Sequence, residues 1–209
     1  MSNKKKKIIV ISVIASLIAL TSITIAVFTA KDEVINDFKV ADIDVKVDEK
    51  WHEPDSWSGE SLEKVAKVTN KLQTAEGKGM PAMIRVAVEP RWEDKDGNPY
   101  LGDINCVEFE FSNVTDNINT KGSWYKADDG YYYYTSVVMP GESTNDIIKS
   151  IKLKDSVTNK EKEAFDGKEL KAVVRAEAIF SGSNKWKVDW NITNTEVINL
   201  LSTFTAQGK

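Results

Sequence analysis

The sequence predicts an all-β fold: a jelly-roll-like antiparallel β-sandwich with short helices and long loops, behind an N-terminal signal helix. Three observations lead there. Several short segments alternate apolar and polar residues with the period of a half-buried strand. Turn signals built on glycine, proline, asparagine and aspartate separate them. No long helical pattern intervenes. Hydrophobic residues make up 41% of the 209 and aromatics 9%, enough apolar material for a core.

The chain opens on Lys4, Lys5, Lys6 and Lys7, followed by the apolar run IIVISVIASLIALTSITIAVFTA. A basic stretch before an apolar one is the pattern of a secretory signal. Ala26, with Thr24 two residues upstream, offers a small-x-small cleavage site; at the alternative, Ala30, the equivalent upstream residue is the bulky Phe28. Residues 8–30 also exceed the roughly 20 apolar residues that cross a bilayer, so an uncleaved anchor competes with cleavage. Ser12, Ser16, Thr21, Ser22 and Thr24 dilute the run and favour cleavage.

Beyond the leader, GESLEKVAKVTNKLQ places Leu62, Val65, Val68 or Thr69, and Leu72 at helical spacing, which suggests a short amphipathic helix. AMIRVAVEPRW sets Ile84, Val86 and Val88 against Met83, Arg85 and Ala87, a strand. CVEFEFS repeats the pattern, with Val107, Phe109 and Phe111 on one face and Glu108 and Glu110 on the other. YYYYTSVVM, SIKLKDSV and LKAVVRAEAIF are rich in strand formers, and WKVDWNI alternates Trp186, Val188, Trp190 and Ile192. STNDIIKSI reads as a helical turn capped by Ser143 or Thr144. The C-terminal TNTEVINLLSTFTAQGK is either a short helix or a last strand.

Formal net charge is −4, and without Lys4 to Lys7 the remainder holds 24 basic and 32 acidic residues. No basic stripe is left to displace phosphate counterions, which excludes nucleic acid as a partner. The single cysteine, Cys106, forms no internal disulfide. It reads as a structural thiol, because no activating base accompanies it. The single histidine, His52, rules out a His-rich metal site and a His-Glu-x-x-His helix. Asp94, Asp96, Asn98 and Asp103 could cage calcium, but their glycine sits at the wrong offset for an EF-hand and the same residues suit a hairpin turn. The run Tyr131 to Tyr134 sends two tyrosines to each face of a strand, for packing or for a carbohydrate platform. No base–nucleophile or metal set can be assembled, so the chain reads as a non-enzyme without cofactor.

The join AVFTAKDEVINDFKVADIDVKV resembles the start of TasA/camelysin-type proteins of Gram-positive bacteria, through Phe28, Lys31, Asp32, Asn36 and Phe38. SGESLEKVAKVTN is similar to a later segment of that family at Gly59, Lys64, Val68 and Asn70, with Ser58 where proline is usual. DDGYYYYTSVVMPGEST and VVRAEAIFS resemble further segments, most of all those of the BsaA-type biofilm-matrix branch. The resemblance implies a strand rather than a helix over 64–70. It implies a signal peptide at 1–26, cut by a SipW-type signal peptidase, a donor-type strand segment at 27–48 and a sandwich at 49–209. It also implies a secreted fibre subunit that joins copies of itself through Val27, Phe28, Val34, Ile35, Phe38 and Val40, and that meets a membrane only before cleavage. Such a tail is too apolar for water and too polar for a membrane, and is satisfied at an exposed sheet edge. A Lys–Asn isopeptide crosslink is a further implication, with Lys39 or Lys46, Asn191 or Asn194, and Glu177 as candidate members. The alternative class is a membrane-anchored cell-surface binding module, held by residues 8–30.

Overall fold

The computed structural model describes residues 43–51, 59–72 and 79–207. Among them the strands are β1 (Val45–Trp51), β2 (Leu62–Asn70), β3 (Ala82–Asp94), β4 (Pro99–Tyr100), β5 (Val107–Phe111), β6 (Val114–Thr115), β7 (Trp124–Lys126), β8 (Tyr132–Tyr134), β9 (Ile148–Leu153) and β10 (Lys168–Phe180). The helices are α1 (Asn159–Glu163), α2 (Trp186–Asp189) and α3 (Thr195–Gln207), with a single 3₁₀ turn at Ile104–Cys106. The architecture is β-rich, as the alternating segments predict. The signal helix expected over the leader lies outside the described residues.

Two sheets result. One runs β1-β2-β9-β5; the other runs β10-β3-β8-β7-β6, with β4 beside β3. Every pairing is antiparallel except β6 with β7. Alternation along each strand sends one set of side chains into a core shared by the sheets: Val45, Ala66, Val68 and Ile148 from the first, Ile84, Val86, Tyr132, Tyr134, Val174 and Ala176 from the second. Burying each valine or isoleucine side chain among these contributes about 1.5–3 kcal/mol. A smaller cluster of Trp92, Val107, Ile151, Leu153 and Leu170 closes one end, with Phe165 stacked on Trp92 at 4.2 Å.

The outer face of the second sheet explains why β3 is buried on both sides only in its first half. There Met83, Tyr133 and Ile179 meet Trp186 and Trp190 of α2 and its C-terminal flank, and Val197, Leu201 and Phe204 of α3. The α3 residues recur at helical spacing, and the Asn194 side chain accepts a hydrogen bond from Val197 N at 3.1 Å, an N-cap. The Trp186 indole donates to Thr205 Oγ1 at 3.1 Å, tying the two helices together. Further along, Glu89 and Arg91 on β3 face Val173 and Lys171 on β10, and both of these β3 side chains are exposed.

Three expectations are corrected. WKVDWNI is helical at Trp186–Asp189, not a strand: Trp186 and Trp190 lie one turn apart on the buried side, while Val188 is 80% exposed. STNDIIKSI carries no helical turn; Thr144 instead extends the sheet, exchanging backbone and side-chain hydrogen bonds with Val68 at 2.8 and 2.9 Å. Cys106 precedes β5 in the 3₁₀ turn rather than lying within the strand. Of the two alternatives for the C-terminus, the structure shows the helix. Of the two for 64–70, it shows the strand, because Lys64, Ala66, Val68 and Asn70 all point inward.

Candidate functional site

Ala26 and the polymerisation residues Val27, Phe28, Val34, Ile35, Phe38 and Val40 lie outside the described residues, as do Lys39, His52 and Ser58. The described chain begins at Ile43, which is buried in the shared core together with Val45. β1 runs through residue 48 and pairs with β2 along its whole length. What the body can offer to an added strand is therefore decided by where its two sheets end.

On one flank the ends are β1 and β10, which pack against each other. β1 is fastened by charge: Lys64 to Glu49 at 2.6 Å, Lys50 to Glu63 at 3.1 Å, Lys71 to Asp44 at 3.2 Å, and the Thr69 hydroxyl to Asp48. That hydrogen bond and Lys46 beside it hold the Asp48 carboxyl below its usual pKa, against a burial effect that would raise it.

On the opposite flank the ends are β5 and the two-residue β6. β5 pairs only with β9 among the described strands. Cys106 O accepts from Lys154 N and Ser112 N donates to Ile147 O, both at 2.8 Å. Even-numbered positions of β5 therefore direct their backbone groups at β9, and Val107 and Phe109 direct theirs away from it. Phe109 and Phe111 are half-buried, 5.8 Å apart by ring centroid, and Phe111 meets Tyr132 across the gap at 5.0 Å. The other face of β5 carries Glu108 and Glu110, bridged to Lys152 at 3.6 Å and Lys149 at 2.5 Å.

A second cluster lies under α2. Arg85, 6% exposed, points from β3 toward the helices. Its Nε and Nη2 donate to Glu177 Oε2 at 3.0 and 2.8 Å, and its Nη1 donates to Tyr133 Oη at 3.2 Å and Trp190 O at 3.3 Å. The guanidinium lies 3.8 Å from the centroid of the Tyr131 ring and 4.8 Å from that of Trp190. Tyr131 in turn donates to Glu177 Oε1 at 3.2 Å and Tyr133 to Asp129 Oδ2 at 2.6 Å. Burial opposes the charge on Arg85, but its bonds to Tyr133 and Glu177 more than restore it, so its pKa rises. Burial also pushes both phenols up, with Glu177 adding to the effect on Tyr131 and Asp129 to that on Tyr133. This arrangement can hold a helix against a sheet; it presents no nucleophile beside a base.

The remaining candidates have local roles. The Asp94 carboxylate accepts from the backbone N–H groups of Asp96 and Asn98 at 2.9 and 2.8 Å, and from the Asn98 amide at 3.2 Å. It fastens the hairpin turn, while Asp103 caps the 3₁₀ turn by accepting from Asn105 N. Among the described residues no group of three or more His, Cys, Asp or Glu is arranged to hold a metal, and no helix is long and apolar enough to cross a membrane. The Cys106 thiol donates to Asp103 O, and burial together with the Asp103 charge raises its pKa. Of the crosslink candidates, Lys46 is half-exposed beside Asp48, Asn191 is exposed with φ 44°, Asn194 caps α3 and bonds Asp128, and Glu177 serves Arg85.

Sequence reasoning missed the lysine that is buried. Lys64 is 4% exposed on the inward face of β2. Its neighbour Asn70, also inward, donates from Nδ2 to Met80 O and Val138 O at 2.8 and 2.9 Å, pinning one sheet to the other. Gly59, at φ 98°, leaves room for Leu153: a Cβ there would stand 2.8 Å from Leu153 Cδ1. The resemblance names these three with Val68; the structure gives each a packing reason. Comparison with protein-family models, with curated proteins and with solved structures returns no match to this chain.

Proposed function

We propose that the chain is a secreted structural subunit that polymerises head-to-tail into extracellular fibres of the biofilm-matrix or pilus-like kind. The observation that carries this is the pair of sheets whose end strands have, among the described residues, a partner on one side only, preceded in sequence by an apolar N-terminal segment that needs such an edge. In this reading the body is the jelly roll that the resemblance implies, and the SipW-type peptidase acts after Ala26. Residues 27–40 then pass to a neighbouring copy. A tail on one copy and an edge on the next make a heterologous contact that does not close, which generates a filament.

Electron microscopy and sedimentation of the exported chain test it. Filaments are expected from the processed protein, and soluble monomers from a chain lacking residues 27–40; filaments from the shortened chain refute the proposal. Intact mass separates it from an anchored surface module, since the fibre reading requires loss of residues 1–26 and the anchor requires their retention.

A further inference from the structure

We infer that the edge that receives a neighbour's N-terminal segment is β5, on the flank away from β1. The inference rests on the fibre reading above and identifies which surface of the body takes part in it.

Among the described residues β1, β5, β6 and β10 end the two strand orders, with the two-residue β4 beside β3, and the structure separates them. β1 and β10 lie against each other. β6 is two residues long. β5 is a five-residue edge whose inward row, Val107, Phe109 and Phe111, grades from buried to half-buried toward the gap between the sheets. Apolar exposure continues upstream of it: Leu101 is 101% exposed and Ile104 49%. The Val107 carbonyl and both backbone groups of Phe109 point away from β9, while the Val107 N–H closes the 3₁₀ turn by donating to Ile104 O. An edge of this type, apolar beneath and unpaired beyond, is the one strand addition completes.

The incoming segment matches it. Read as a strand, 34–40 places Val34, Asn36, Phe38 and Val40 on one face, three of the four apolar and suited to the half-open core, and Ile35, Asp37 and Lys39 on the other. Lys39 then stands on the side that carries Glu108 and Glu110.

Reach decides that the donor is a second copy. The chain enters the core at Ile43 beside β1. A slot beyond β5 lies four strand spacings from β1, about 19 Å at about 4.8 Å each. From Val40 to Ile43 an extended chain covers at most ~11 Å. A subunit cannot lay its own 34–40 along its own β5, so every β5 edge must be served by another copy.

Cys106, the only cysteine, ends the 3₁₀ turn one residue before β5 and reports the contact. A disulfide forms only when Cα atoms come within about 7 Å, that is, between neighbouring strands. The full chain, exported with its own leader, is prepared as three variants, Ile35→Cys, Asp37→Cys and Lys39→Cys, then assembled and oxidised. The expected result on non-reducing electrophoresis is a ladder of covalent multimers for at least one variant, lost when Cys106→Ser is added. Fibres in which no variant links to Cys106 overturn the assignment of β5 and leave the fibre reading standing. A link to Cys106 within a single chain overturns it as well. Absence of any assembly before oxidation removes the fibre reading itself, and this inference with it.

Discussion

Replacing Glu177 by Gln tests whether the cluster under α2 is an ion-pair lock. The side chain of Arg85 is 7% exposed and that of Glu177 27%. Both Nε and Nη2 of Arg85 bond to one oxygen of Glu177, so the amide keeps the shape and loses the charge. Breaking a buried pair by removing one partner costs about 3–5 kcal/mol. Glu177 is partly open to water, which lowers the expectation to about 2–3 kcal/mol. For a chain of this size that corresponds to a fall in Tm of roughly 5–10 °C. The assay is urea unfolding followed by tryptophan fluorescence, in which Trp190, whose ring centroid lies 4.8 Å from the guanidinium, is a local reporter. The loss should persist in high salt, since a sheltered pair is weakly screened. A change below about 0.5 kcal/mol, within the range of an ordinary surface substitution, would refute the reasoning. So would a loss that disappears in salt. Adding Arg85→Met to the Glu177→Gln chain should recover part of the loss, because the unpaired charge is then gone.

Other expectations follow from the geometry. Gly59→Ala forces a Cβ against Leu153 at a φ of 98°, and should cost about 1–3 kcal/mol by chemical denaturation; an unchanged midpoint would contradict the close approach. Asn70→Ala removes two cross-sheet hydrogen bonds, leaving Met80 O without this donor while Val138 O keeps its bond from Ala82 N, for a loss of about 1–3 kcal/mol measured in the same way. Burial pushes the Tyr132 phenol up to about 12. Its folded pKa lies above the unfolded value, so the stability it contributes is complete below pH 10 and is lost as pH rises from about 10 to 12. Phenolate absorbance should show this tyrosine ionising together with unfolding, and ionisation at pH 10 in a folded chain would be the contrary result. At the acid end the opposite sign holds. Hydrogen bonds from Asn98 lower the Asp94 pKa, and those from Thr158 lower that of Glu161, so what these turns contribute is lost as pH falls through the depressed values.

Strands were legible where one face meets a core and the other meets water. β5, with Val107, Phe109 and Phe111 against Glu108 and Glu110, is of that kind; β3 was legible from Ile84, Val86 and Val88 alone, since Met83 and Arg85 on its other face are covered by the helices. Two sorts of residue escaped. Trp186 and Trp190 satisfy a period of two and a helical turn equally well over so short a stretch, and only packing on Met83 and Ile179 decides between them. Arg85, Lys64 and Asn70 are polar residues on alternating strands, where pattern assigns them to solvent, but all three are buried, and Glu177 is half-covered beside Arg85. The β2 segment shows the same difficulty. Leu62, Val65 and Leu72 suggest a helix because Lys64 and Asn70, on its buried face, do not count as apolar. Nothing in spacing alone marks a lysine that pairs with Glu49 or an asparagine that bridges two sheets.

The long ladder between β3 and β10 joins residues that leave the ribosome far apart in time. β3 ends at Asp94, and the last residue of β10 is Phe180. At translation rates of about 5–20 residues per second, β3 waits ~4–17 s for that partner. Throughout the wait it displays Ile84, Val86 and Val88 in a sequence that other chains could also pair with. Arg85, Glu89, Arg91 and Glu93 interrupt the same stretch, which makes them gatekeepers of the nascent chain before they become part of its finished surface or its locks.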